Sequence, residues 1–221
     1  KMSTTAKVFF IGILSLIVLF ASLSLYNGNH NNKRKTISAS SLSSSNFVVK
    51  KIIPKKDKIY YTQGIFMEDD GFIVESGGLY GESSLTRMEY PSLEINSQTK
   101  LKDDLFGEGI AKVGKYIYQL TWREGEILKY DSETLELLDT IPLDPKMKEG
   151  WGLTNFNEKE LIATDGSDKI FVLDNESMKV KREIKVTNKG KPVPYLNDLE
   201  FDGKNIYSNI YYNANIVEIN P

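Results

Sequence analysis

A repeat of about 45 residues constrains the fold of this chain more than any other feature of its sequence. Four short apolar segments start 44, 45 and 45 residues apart, at Phe72, Tyr116, Leu161 and Ile206. The segments that start at Tyr116 and Leu161 are each followed by a further apolar segment that ends in an acidic turn. The aspartates of these two turns, Asp131 and Asp174, lie 43 residues apart. A period of this length, with about four short strands per unit, is typical of a β-propeller. A β-sandwich with evenly spaced strands is the alternative, but the close agreement of the intervals favours the propeller.

The sequence shows almost no helical periodicity, which predicts an all-β domain over residues 47–221. The chain holds about four repeats and stops about halfway through the fourth. We therefore expect a β-propeller that is incomplete at its C-terminus, with about four blades or fewer present. A predicted strand within residues 47–53 would be an outer strand of the blade that closes the ring.

The N-terminal part of the chain has a different composition. Residues 8–26 carry no charge, which is typical of a signal sequence or a membrane anchor. We assign residues 1–26 to this segment and the Asn- and Ser-rich residues 27–46 to a flexible polar linker. The protein is thus expected in the secretory pathway, either secreted or anchored in a membrane with a luminal or extracellular domain.

The composition excludes several kinds of catalytic site. The chain has no cysteine and a single histidine, His30, in the polar linker. A thiol nucleophile and a cysteine-ligated zinc are therefore excluded, and a Ser-His-Asp triad or a histidine-ligated metal is disfavoured. The formal net charge of -2 gives no reason to expect nucleic acid as a partner. Catalysis would depend on carboxylates, amides, lysines, hydroxyls and aromatic rings.

A second periodic set consists of four residues, each of which lies about nine positions before one of the repeated strands. The intervals are 45, 43 and 46 residues, and the residues are Gln63, Glu108, Trp151 and Asn197. The first strand of each propeller blade lines the central channel, so equivalent positions should converge on one ring around the axis. Two amides, a carboxylate and an indole in such a ring favour a binding site. The alternative is a set of channel-lining residues whose polar groups are satisfied by water.

Other residues near this ring differ in their expected roles. Trp122 and Tyr211 follow Glu108 and Asn197 by 14 residues each, which predicts a second layer of the site. Glu75 is expected to make hydrogen bonds at the end of a strand. The alternation of Asp198, Glu200 and Asp202 with apolar residues predicts the solvent face of a strand.

Several motifs resemble those of one enzyme family. From Tyr61 to the end of the chain they are YTQGI, ESGGLYGESSL, FGEGIA, IYQLTWREGEILKYD, EGWGLT, TDGS and LNDLEF. Together they are similar to the plant and bacterial type of glutaminyl cyclase, or glutamine cyclotransferase. The resemblance implies a five-bladed β-propeller that converts the N-terminal glutamine of peptides or proteins to pyroglutamate and releases ammonia. It implies no metal and no other cofactor.

The resemblance also implies roles for individual residues. Glu108 matches the family's essential glutamate and is expected to be the catalytic acid and base. The residues that match the substrate pocket are Gln63, Phe106, Trp122, Trp151 and Asn197. Tyr61 and Tyr211 stand where the family usually has phenylalanine and tryptophan, and both keep an aromatic ring. The family's Asn-Gly-Ile-Ala and Gly-Lys-x-Trp-Pro motifs do not occur before Pro221.

Two other functions remain open from the sequence. One is a non-catalytic propeller that binds peptide N-termini or another ligand and has lost its activity with the last blade. The other is a metal-dependent lactonase, which the scarcity of histidine and the absence of clustered acids disfavour. In each case we expect a monomer.

Overall fold

The computed structural model describes residues 51–54 and 61–221, and this part of the chain contains strands β1 to β17 and no helix. The first sheet contains β1 (Thr62–Met67), β2 (Phe72–Gly77), β3 (Ser84–Glu89) and β4 (Ile95–Lys100). The second contains β5 (Gly107–Val113), β6 (Tyr116–Thr121), β7 (Glu126–Asp131) and β8 (Leu137–Pro142). The third contains β9 (Leu153–Asn157), β10 (Glu160–Ala163), β11 (Lys169–Asp174) and β12 (Val180–Lys185). A short hairpin, β13 (Thr187–Asn188) and β14 (Lys191–Pro192), precedes the fourth sheet of β15 (Leu196–Phe201), β16 (Ile206–Ile210) and β17 (Ile216–Ile219).

Each sheet is an antiparallel meander whose strands pair in chain order. The first strands of consecutive sheets, β1, β5, β9 and β15, contact one another in that order. They therefore form the inner edge of the assembly, and each sheet extends outward from it as one propeller blade. The predicted all-β propeller with about four blades is confirmed. The repeated segments seen in the sequence are the second strands of the blades, β2, β6, β10 and β16.

The predictions for the N-terminal part of the chain have different outcomes. The signal sequence or anchor in residues 1–26 and the linker in residues 27–46 lie outside the described residues. The structure describes residues 51–54, and they form no strand. The prediction of a strand within residues 47–53 is therefore wrong for its C-terminal part. In residues 51–54 and 61–221 we find no helix with the length and hydropathy needed to span a membrane.

Adjacent blades pack face to face through three apolar clusters. In β6, Ile117 packs toward the first blade, whereas Tyr118 and Leu120 pack toward the third. All three side chains are buried. Successive side chains of a strand point to opposite faces, and here both faces are covered. The middle strands of the blades are therefore nearly continuous apolar segments.

Equivalent turns in successive blades explain the interval between the two acidic turns. Oδ1 of Asp131 accepts hydrogen bonds from the backbone N–H of Thr134 at 3.0 Å and from its hydroxyl at 3.1 Å. Oδ1 of Asp174 accepts the same pair of bonds from Ser177, at 2.9 and 2.8 Å. These hydrogen bonds lower the pKa of both aspartates. The repeat therefore extends to individual side-chain contacts in the turns.

Glycines allow the inner strands to approach one another closely. A Cβ atom on Gly109 would lie 2.4 Å from the backbone nitrogen of Leu153, and one on Gly152 would lie 2.4 Å from the carbonyl oxygen of Asn197. A Cβ atom on Gly64 would likewise lie 2.8 Å from the backbone nitrogen of Ile110 in the second blade. Only a residue without a side chain fits such a backbone contact. Each of these glycines directly follows one of the predicted site residues.

Candidate active site

The structure places the predicted ring of residues at one end of the inner strands. Gln63, Glu108 and Asn197 are each the second residue of an inner strand, in β1, β5 and β15. Trp151 lies two residues before β9, and its carbonyl oxygen accepts a hydrogen bond from the backbone N–H of Gly109 at 2.7 Å. The period therefore identified the same strand position in three blades and a residue just before the inner strand in the third blade.

Glu108 is the buried carboxylate of this ring. Its side chain is on β5, and the residue is only 7% exposed. Burial raises the pKa of Glu108 well above its usual range, and the negative charges of Asp198, Glu124 and Glu149 raise it further. Among the described residues, none donates a hydrogen bond to its carboxyl group. A carboxyl group in this setting takes up a proton more readily than an exposed one.

Aromatic rings form two arms beside Glu108. In the first arm, the Phe106 ring meets the Trp122 ring edge to face at 5.5 Å and the Tyr80 ring at 5.4 Å. In the second arm, the Trp151 ring meets the Tyr211 ring edge to face at 5.3 Å. The structure thus groups Phe106 and Trp122 with Tyr80, which was not predicted, and pairs Trp151 with Tyr211.

Tyr61 differs from the other predicted aromatic residues. It directly precedes β1 and its carbonyl oxygen accepts a hydrogen bond from the backbone N–H of Gly78 at 2.8 Å. Within the described part of the chain, its ring contacts none of the other aromatic rings. Its assignment to the pocket remains a prediction.

Glu149 joins the two aromatic arms and was missed by the sequence analysis. Its Oε2 accepts the indole N–H of Trp122 at 2.7 Å and that of Trp151 at 2.9 Å. Its Oε1 accepts the Nε–H of Arg123 at 3.0 Å. Burial opposes ionisation of Glu149, but the hydrogen bonds from Trp151, Trp122 and Arg123 outweigh it and lower the pKa of this carboxyl group. Glu149 therefore carries a negative charge at neutral pH.

Glu124 supports the outer end of the first arm. It accepts a hydrogen bond from the Tyr80 hydroxyl at 2.7 Å and a longer one from the backbone N–H of Phe106 at 3.4 Å. The hydrogen bond to Glu124 is the main cause that raises the pKa of Tyr80 to about 12. Tyr80 is therefore a neutral hydroxyl at physiological pH.

The amide side chains of Gln63 and Asn197 are available to a ligand. Asn197 is buried, and Gln63 is half-buried. No group in the described part of the chain hydrogen-bonds to either side-chain amide. Buried amides normally have hydrogen-bond partners. This pair can therefore receive the polar groups of a bound molecule.

The expectation that Asp198 and Glu200 lie on the solvent face of a strand is wrong. Both line a cavity of about 720 Å³ along the inner strands, together with Ile110, Lys112 and Leu153. Burial raises the pKa of Asp198 to about 7, although the backbone N–H of Leu199 hydrogen-bonds to it. Burial and the charge of Asp198 raise the pKa of Glu200 well above its usual range. The polar face of an innermost strand faces the channel rather than bulk solvent, which the alternation alone cannot distinguish.

Two further features of the described residues bear on the chemistry. Glu75 is buried and accepts a hydrogen bond from the Thr62 hydroxyl, which agrees with its expected role within the sheet. In residues 51–54 and 61–221, no three histidine, cysteine, aspartate or glutamate side chains form a group that could hold a metal ion.

None of the eight predicted site residues lines the 720 Å³ cavity, so the candidate site lies beyond one end of it.

The fold and the candidate site together define a β-propeller whose inner blade edges carry a buried carboxylate, two amides and an indole at one end. The chain matches the family of glutamine cyclotransferases over residues 19–221, and it belongs to this family. The family resemblance seen in the sequence is thereby confirmed.

Individual relatives show how far the similarity extends. The chain is 30% identical over 161 residues to a glutaminyl-peptide cyclotransferase of Arabidopsis thaliana, a match that covers 73% of this chain and 49% of the relative. It superposes on the crystal structure of the Myxococcus xanthus glutaminyl cyclase with a TM-score of 0.65 and 28% identity, covering 73% of this chain and 66% of that one. The WD40 domain of Neurospora crassa Pan2 shares only the fold, with a TM-score of 0.52 and 13% identity over 71% of this chain and 46% of that one. The chain thus spans about half the length of the curated relative it matches.

Proposed function

We propose that this protein is a glutaminyl-peptide cyclotransferase that converts the N-terminal glutamine of peptides or proteins to pyroglutamate and releases ammonia. The observation that carries the proposal is the buried carboxyl group of Glu108, with its raised pKa, in a ring with two amides and an indole. Membership of the glutamine cyclotransferase family supports the reaction class.

The reaction requires movement of one proton between two nitrogen atoms. The α-amine of the substrate attacks the carbon of its own side-chain carboxamide, so a C–N bond forms and the ring closes. The bond from that carbon to the amide nitrogen then breaks. The attacking nitrogen loses a proton, and the leaving nitrogen gains one to depart as ammonia.

Glu108 is suited to carry this proton in both steps. As a carboxylate it accepts the proton from the attacking amine, and as a carboxylic acid it donates the proton to the leaving group. A carboxyl group with an ordinary pKa is a weak base, and burial together with the charges of Asp198, Glu124 and Glu149 raises the pKa of Glu108 toward the working range. The same group can then act as base and acid in one turnover.

The amides and aromatic rings would hold the substrate in a reactive shape. Gln63 and Asn197 can donate N–H groups to the carboxamide oxygen, on which negative charge develops during attack. Trp122, Trp151 and Tyr211 would enclose the folded glutamine side chain and exclude water, which would otherwise compete as nucleophile. Phe106 extends this enclosure through its contact with Trp122.

We further propose that the reaction needs no metal ion and that the protein acts in the secretory pathway. The chain has no cysteine and one histidine, so the usual ligands of a catalytic zinc are scarce. The uncharged segment of residues 8–26 supports a secreted or membrane-anchored protein.

Turnover of a synthetic peptide tests the proposed reaction. The full chain should release ammonia from a peptide with N-terminal glutamine, and mass spectrometry should show the matching loss from the peptide. A peptide with N-terminal glutamate or with an acetylated N-terminus is the control and should stay unchanged. Activity should also persist after treatment with EDTA, which should inactivate a zinc-dependent enzyme treated in parallel. Binding of the glutamine peptide without ammonia release would contradict the proposal and favour a binding module.

A further inference from the structure

Among the residues that the structure describes, Glu149 is the one carboxylate that accepts a hydrogen bond from both tryptophans. The sequence contains two tryptophans, Trp122 and Trp151. They come from different blades, and Oε2 of Glu149 accepts both indole N–H groups, at 2.7 and 2.9 Å. Arg123 holds the other oxygen at 3.0 Å. A single side chain therefore bridges the two aromatic arms.

We propose that Glu149 is a positioning residue whose carboxylate fixes the orientation of Trp122 and Trp151 on either side of the substrate. The kinetic part of this inference rests on the proposed cyclotransferase function, while its structural part does not. Glu149 need not touch the substrate, because both of its oxygens already accept hydrogen bonds from protein groups.

The contact geometry explains why a carboxylate is needed. Three N–H donors converge on Glu149, and a carboxylate presents acceptors only. A glutamine at this position has one acceptor oxygen and one NH2 group. If the oxygen faces the indoles, the NH2 group faces the Arg123 donor, and the reverse orientation places the NH2 group against both indoles. In either case at least one donor loses its partner.

Tryptophan orientation should matter for ring closure. Cyclisation needs the amine and the carboxamide carbon of the same residue to meet in one folded conformer. A misplacement of about 1 Å in a group that positions substrate can reduce turnover about 100-fold. Edge-to-face contacts with Phe106 and Tyr211 would transmit any rotation of the indoles to the rest of the pocket wall.

The test compares Glu149→Gln and Glu149→Ala with the wild-type full chain. Because both tryptophans contact Glu149, the intrinsic fluorescence reports on this contact without any assay of activity. We expect the emission maximum of both variants to shift from that of the wild type, because the indole N–H groups lose their anionic hydrogen-bond acceptor. With a glutamine peptide, kcat/KM should fall about 100-fold, with kcat reduced more than KM is raised.

Glu160→Gln is the matched control. Glu160 also accepts hydrogen bonds from basic residues, Lys181 and Arg182, but it lies at the far end of β10 from Trp151. This variant should keep the wild-type emission spectrum and kcat/KM. Because the Glu149 side chain is 25% exposed, we expect Glu149→Gln to fold, and Arg123→Ala provides a second variant that weakens the same contact.

The possible outcomes separate the inference from the proposed function. Unchanged emission and unchanged kcat/KM in both Glu149 variants would overturn the positioning role. If the wild-type chain does not cyclise glutamine peptides, the proposed function fails, but a fluorescence shift in the Glu149 variants alone would still support the contact. A shift in emission with wild-type kinetics would show that the contact exists without positioning the substrate and would also reject the inference.

Discussion

In the proposed reaction, the burial that suits Glu108 to proton transfer also opposes folding at the same position. Glu108 is buried on β5, where solvent cannot stabilise its charge, and three other carboxylates act on it. Both effects favour the protonated form, which is needed to donate a proton to a leaving group. The same effects make the ionised form unfavourable in the folded chain.

Stability should therefore depend on pH through Glu108. The pKa of this residue is higher in the folded than in the unfolded chain, so its contribution is fully present below the unfolded value and lost as pH rises through the folded value. Glu108→Gln removes the titrating group. The melting temperature of the variant minus that of the wild type should increase as the pH rises above about 4, where an ordinary glutamate ionises. Calorimetry at several pH values measures this difference.

Asp198 and Glu200 do not obscure this comparison. Their raised pKa values give the wild type the same direction of pH dependence, but both residues are present in the variant as well. A pH-independent difference between the two melting temperatures would contradict the environment described for Glu108.

At the scale of the strands, glycines set the distance between blades. A Cβ atom on Gly109 or on Gly152 would overlap with backbone atoms of the next inner strand. The fourth blade carries Asp198 at the equivalent position. In the first three blades, the residue after each ring residue must therefore be glycine so that adjacent inner strands can pack closely. This close packing brings the ring residues near one another.

Gly109→Ala should destabilise the protein strongly. The added Cβ would lie 2.4 Å from the nitrogen of Leu153 and 2.6 Å from the carbonyl oxygen of Trp151, and neither backbone atom can move without shifting β9. We expect a loss of about 3 kcal/mol in the free energy of unfolding, at the upper end for overpacking. Denaturant unfolding measures this loss.

Gly125→Ala separates steric overlap from lost backbone freedom. Gly125 has a φ of 70° and open space around its Cβ position, so its substitution should cost only about 1 kcal/mol. Equal effects of the two substitutions would contradict a close contact at Gly109.

The sequence predicted the strands and the ring because both depend on local spacing. Gln63, Glu108 and Asn197 fall at the same place in their strands, as the period indicated. Glu149 could not be predicted in this way, since its partner Trp122 is 27 residues distant and the equivalent positions of the other blades carry Tyr61, Phe106 and Tyr195 rather than a carboxylate. Asp198 was placed on the wrong face because alternation shows which residues share a face, but not what that face meets.

For the whole molecule, the arrangement of blades explains why the site is built from distant segments. Each blade contributes one ring residue from its inner edge, so the candidate site forms only when neighbouring blades pack. The apolar clusters between blades therefore hold the site together as well as the fold. The sequence period predicted this architecture, while the resemblance to glutamine cyclotransferases supplied the chemistry.

The activity of Glu108→Gln tests the central claim most directly. Glutamine has nearly the shape of glutamate but cannot exchange the proton, so the variant should fold and bind a glutamine peptide. Its kcat for pyroglutamate formation should fall about 1000-fold relative to the wild-type full chain. Glu176→Gln, in an exposed turn, should retain full activity. A Glu108→Gln variant with kcat within a few-fold of the wild type would contradict proton transfer by Glu108.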